Sequence, residues 1–86
     1  MSTFGINKYI VWKDIWNEGK ESFVIFNYEQ KHIDVANAFR IPKSEILGAG
    51  FISNRFEAYG RSDSLNIDSR KEDSNILRQG WKVRQE

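Results

Sequence analysis

The chain has 86 residues, enough for one domain and too few for two cores, and its 40% hydrophobic and 14% aromatic content belongs to globular rather than disordered sequences. Thirteen Lys+Arg stand against twelve Asp+Glu, spread evenly along the chain, so the basic excess or stripe typical of nucleic-acid binders is missing. The absence of cysteine excludes disulfides, thiolate metal cages and a cysteine nucleophile.

The first ten residues, MSTFGINKYI, carry no charged segment followed by a long apolar stretch, and no apolar run approaches the roughly 18 residues of a membrane span. The expectation is a soluble protein of the reducing cytoplasm, with no membrane partner. One domain should fill 1–86, with 1–7 and 82–86 as loose ends.

KYIVWKDIW (8–16) and ESFVIFN (21–27) are rich in β-branched and aromatic residues and flank the turn signal NEGK, which predicts a hairpin. Asn27 with Gln30 three residues on fits a capping box, and Tyr28, His32, Val35, Ala36 and Phe39 recur at helical spacing. A helix is therefore expected over about 28–39, stopped by Pro42. SEILGAGFIS (44–53) and RFEAYGR (55–61) predict a second hairpin turning near Asn54. The S-x-x-E box at Ser69 to Glu72 and Gly80 then bound a second helix of about 70–79. The expected fold is α+β in the order ββαββα: a four-stranded, mainly antiparallel sheet of two hairpins with two short helices.

The first two strands are apolar on both sides, since Tyr9, Val11 and Ile15 alternate with Ile10, Trp12 and Trp16, and Phe23 and Ile25 with Val24 and Phe26. A sheet wet on one face alternates apolar with polar instead. If both helices share one face, the other needs the C-terminal GWKVRQE or a second molecule over it. Trp12 and Trp16 are then candidate binding residues, and a homodimer or a strongly curled sheet wrapping its own core would cover them.

The chemical motifs are incomplete. Gly48 and Gly50 begin a G-x-G-x-x-G pattern whose last position is Ser53 and is followed by more strand, and no P-loop triplet exists. A β-bulge or close packing of a neighbouring aromatic explains the two glycines more simply. LGAGFISN overlays the RNA-reading strand of RRM domains at Gly48, Gly50, Phe51 and Ile52, but the basic and stacking positions hold Leu47, Ala49 and Asn54. His32 is the one histidine; its place on the apolar stripe favours a core-border residue with one hydrogen bond over a general base. No metal-ligand spacing accompanies it, so neither metal nor cofactor is expected. Arg61 and Arg70 flank the helix start at Ser69 and are candidate binding residues for phosphate, carboxylate or a protein partner.

HIDVANAF, ILGAGFIS and YGRSDSLNIDSRKEDSNIL together resemble a group of small bacterial and prophage-borne proteins sharing His-x-x-Val-Ala, Ala-Gly-Phe, Tyr-Gly-x-Ser and a Ser-Arg-x-x-Asp run. The resemblance covers about residues 30–78 and implies no activity; it marks His32, Arg70 and Asp73 as the matching polar positions. GAGFISN is also similar to the strand that leads into the catalytic histidine of the phosphohistidine phosphatase family, but Asn54 stands at that position and cannot exchange a proton near neutral pH.

The leading expectation is a non-catalytic protein-interaction module. A small phosphate- or nucleotide-directed hydrolase using His32 with Arg61 or Arg70 is the alternative. Single-stranded nucleic-acid binding ranks third.

Overall fold

Residues 7–15, 18–53 and 55–85 are described by a computed structural model, the side chains of 81–85 excepted. β1 (Asn7–Asp14) and β2 (Lys20–Asn27) form the first hairpin, in an unbroken register from Asn7 opposite Asn27 to Asp14 opposite Lys20. Glu18 and Gly19, the last residues before β2, have φ of 59° and 75°, and Gly19 N–H returns to the Asp14 carbonyl at 2.9 Å.

The second hairpin is much shorter than expected. β3 (Ile46–Ile52) pairs antiparallel with the far side of β1, and only Ala58 and Tyr59 (β4) pair back onto β3, giving the strand order β2-β1-β3-β4. The predicted turn at Asn54 lies outside the described residues. Arg61–Ser62 (β5) and Ile67–Asp68 (β6) form a separate two-stranded ribbon. The architecture is therefore α+β with an antiparallel four-stranded sheet and two helices, although the order ββαββα is not followed strand for strand.

Both helices are displaced from their expected limits. Asn27 Oδ1 accepts the Glu29 N–H at 2.8 Å, which closes a turn rather than a helix cap. α1 consequently starts late, at His32–Ala38. Arg40 then takes φ 57° and Ile41 N–H returns to the Ala36 carbonyl at 2.9 Å, so the helix ends before Pro42 is reached. α2 runs from Asp73 to Gln85, through Gly80 and through 82–85, where a loose end is expected.

The two-faced strands find their explanation here. Ile10, Phe26 and Ala49 pack against Val35 and Ala36 of α1, with Trp12, Val24 and Ile46 beside them. On the opposite face Tyr9, Val11, Phe23 and Ile52 pack against Leu77 of α2, with Ile76 beside it. The helices thus cover opposite faces instead of sharing one, and β1, paired on both sides, is buried from both. The bare sheet face that motivated a homodimer does not exist around Trp12, which is half-buried against the α1-side core. Trp16 lies outside the described residues. Among the described residues, no helix is long and apolar enough to cross a membrane.

Candidate functional site

β3 is gripped from both faces, and its glycines permit the grip. On the α2 side, any side chain at Gly48 would collide with the Asp73 carboxylate. Asp73 is fully buried; its Oδ2 accepts from the Tyr9 hydroxyl at 2.5 Å and from the Arg70 N–H at 3.0 Å, and its Oδ1 accepts from Arg70 Nε at 2.9 Å. Arg70 Nη2 lies 2.7 Å from the same Oδ1, at an angle that adds attraction rather than another hydrogen bond. The Asp73 bond to the Arg70 N–H closes the turn that leads into α2, while the Ser69 N–H of the box read from sequence goes instead to the Gly60 carbonyl. Burial, followed by the hydrogen bond to Asp73 and the Asp73 charge, pushes the Tyr9 phenol well above its ordinary pKa.

On the α1 side, His32 Nε2 donates to the Gly50 carbonyl at 2.9 Å; a carbonyl only accepts, so this nitrogen carries the hydrogen. The ring is 3% exposed and stands edge-on to Phe26 and Phe51, at 5.3 and 6.2 Å between centroids. Burial is the main cause holding its pKa below the ordinary histidine value, and nearby Lys8 acts in the same direction. Gly50 itself is pressed against backbone: a Cβ there would meet the Tyr59 carbonyl oxygen at 2.6 Å. The close neighbours of Gly48 and Gly50 are therefore a carboxylate and main chain rather than an aromatic ring, and the bulge expected lies beside Gly48, where the register with β1 shifts between Val11 and Trp12.

His32, Arg70 and Asp73, the three positions marked by the bacterial and prophage resemblance, all belong to this grip. Arg61 and Arg70 are not neighbours in function. Arg70 is tied to Asp73 on the α2 side, whereas Arg61 shares a cleft with His32 on the α1 side. That cleft, of about 290 Å³, is also lined by Lys8, Lys31, Phe51 and Ser64, with Asp63 at its rim. Two of its lining residues, Lys8 and Phe51, belong to a cross-strand row that sequence cannot display without the register: Phe26, Lys8, Phe51 and Tyr59 stand opposite one another on β2, β1, β3 and β4. Phe51 and Tyr59 stack at 5.8 Å and 25°.

A different surface surrounds Phe39. The helical stripe placed this ring in the core, yet it is 56% exposed, because α1 ends just before it. It separates two clefts. One, of about 420 Å³, runs along α1 past Val35 and Ala38; the other, of about 320 Å³, is walled by Trp12, Ile15 and Pro42. No family model, curated protein or solved structure matches the chain.

Proposed function

We propose that this protein is a non-catalytic interaction module that receives an apolar side chain of a protein partner in the paired clefts at Phe39. The observation that carries the reading is an interface anatomy at that place: exposed Phe39 and Ile15 with Trp12 and Pro42 form an apolar centre, and Lys13, Arg40, Glu45, Lys31 and Asp34 form a rim of mixed charge. Such a rim favours a peptide segment bearing both signs of charge around a hydrophobic anchor. A bacterial or prophage setting belongs to this reading through the His-x-x-Val-Ala resemblance, and a cytoplasmic one through the absence of cysteine.

The hydrolase alternative has weaker support. Arg61 shares a cleft with His32, but His32 is enclosed, its Nε2 is engaged by Gly50, and Arg70 sits across the sheet from it. A general base needs an accessible lone pair within reach of the substrate proton.

Affinity isolation with the wild type and Phe39→Asp tests the proposal. A partner recovered repeatedly by the wild type should be lost with the variant, whose fold should change by less than about 0.5 kcal/mol because the ring is exposed. Direct titration of that partner should show Phe39→Ala weakening binding by about 30-fold or more, the mark of a central anchor. Equal recovery by wild type and Phe39→Asp would remove the Phe39 site from the reading.

A further inference from the structure

The second cleft, between β1, the segment leading into α1 and the β5–β6 ribbon, has a different chemistry. We propose that it binds a nucleoside monophosphate, with the phosphate held by Lys8, Lys31, Arg61 and Ser64 and the base laid on Tyr59. The inference is independent of the Phe39 interface.

Three cationic side chains line this cleft with one carboxylate, Asp63, while Asp68 stands behind Arg61 outside the lining, in a chain whose net charge is only +1. Two of the three, Lys8 and Arg61, are held by the protein. Lys8 Nζ donates to the Gln30 carbonyl at 2.8 Å, which leaves two ammonium hydrogens for a ligand. Arg61 donates to Asn66 Oδ1 and lies 3.5 and 3.6 Å from Asp63 and Asp68, so one side of its guanidinium is braced. Ser64 Oγ accepts the Ile33 N–H at 3.1 Å and keeps its own hydrogen to donate. Charge-assisted donors arranged around one small volume suit a phosphate dianion, which presents three acceptor oxygens.

The aromatic half of the ligand follows from the cross-strand row. Phe51 forms part of the cleft wall, and its stacking partner Tyr59 is 47% exposed at the end of the row, two residues before Arg61. An exposed ring continuing a stack beside bound phosphate is a platform for a base. At about 290 Å³ the cleft lies at the lower limit of ligand pockets, room for phosphate and sugar with the base at the mouth. A polymer is disfavoured. Beyond Lys31 the surface turns acidic at Glu29 and Asp34, which would repel the next phosphates of a strand.

Calorimetric and NMR titrations with AMP, ribose 5-phosphate, adenosine, inorganic phosphate and a ten-residue oligothymidylate test the assignment. AMP should bind at least about tenfold more tightly than inorganic phosphate, the added affinity of a stacked base, and at least about tenfold more tightly than adenosine, the added affinity of the held phosphate. Arg61→Gln and Lys8→Gln should each weaken AMP and ribose 5-phosphate by about tenfold or more. Tyr59→Ala should weaken AMP by about fivefold or more and leave ribose 5-phosphate unchanged. Phe39→Asp should leave all of them unchanged. No saturation by any phosphate probe up to about 10 mM overturns the proposal. So does equal binding of AMP and inorganic phosphate, or oligothymidylate binding more tightly than AMP with a steep salt dependence.

Discussion

Tyr9 and Asp73 are 64 residues apart in sequence and share one hydrogen bond in a site closed to water. Tyr9→Phe removes a hydrogen bond to a charged acceptor and should cost about 2 kcal/mol. Asp73→Asn leaves the Arg70 guanidinium without its counter-charge and should cost more, about 3 kcal/mol, at the low end for a broken buried pair because the Arg70 side chain is 25% exposed. Both are large fractions of the roughly 4 to 13 kcal/mol expected for a chain of this length. Urea denaturation should show lowered midpoints in that order. The same residues shape the pH dependence. Above about pH 10 the unfolded chain gives up the Tyr9 proton before the folded one does, so stability falls as pH rises. Below about pH 6.5 the unfolded chain takes up a proton at His32 before the folded one, so stability falls as pH drops. Melting temperatures should be flat between these limits; Tyr9→Phe should flatten the alkaline limb, and His32→Gln the part of the acid limb nearest neutrality. The core-border role of His32 with a single hydrogen bond was legible from its stripe, because local periodicity reports local burial. The partner of Asp73 was not, since Ser-Arg-x-x-Asp says where a helix starts and nothing about which strand lies under it.

At the scale of elements, Gly80 was read as a helix stop and instead lies inside α2, where a Cβ would collide with the Phe23 ring. Helix propensity alone credits Gly80→Ala with about 1 kcal/mol of stabilisation in a helix interior. Crowding of a packed ring outweighs that, and the variant should lose about 1 to 2 kcal/mol. In a Phe23→Leu background the ring is gone, and the same substitution should turn neutral or stabilising; a double-mutant cycle in urea checks the change of sign. The existence of the first hairpin and of both helices was readable because each rests on contiguous pattern. β4 was overestimated for a physical reason: RFEAYGR has strand composition throughout, but only Ala58 and Tyr59 find a partner in β3. Phe39 and the Lys8 row were misplaced or unseen because each depends on where an element ends or which strand pairs with which.

For the whole molecule, the apolar doubleness of β1 and β2 is met by two helices on opposite faces rather than by two helices sharing one. One helix lies on each face, so the drive to self-associate through Trp12 is largely removed. Sedimentation in dilute buffer should therefore show a species of about 10 kDa, matching the 10.1 kDa chain, and Trp12→Ala should lower stability through lost packing without changing the sedimenting mass. A concentration-dependent dimer dissolved by changes at Trp12 would restore the earlier expectation. The layering also sets an order of events during synthesis. The first strand's Tyr9 and Val11 need α2 above them, and at about 5 to 20 residues per second the ribosome makes Asp73 roughly 3 to 13 s after Tyr9. The α1-side core needs Ala49 and Leu65 as well as α1, so it is complete only about 0.4 to 1.6 s before Asp73 is made. For most of that interval the nascent chain therefore lacks both covers, and Tyr9, Val11 and Phe23 are the last of the buried rows to gain theirs.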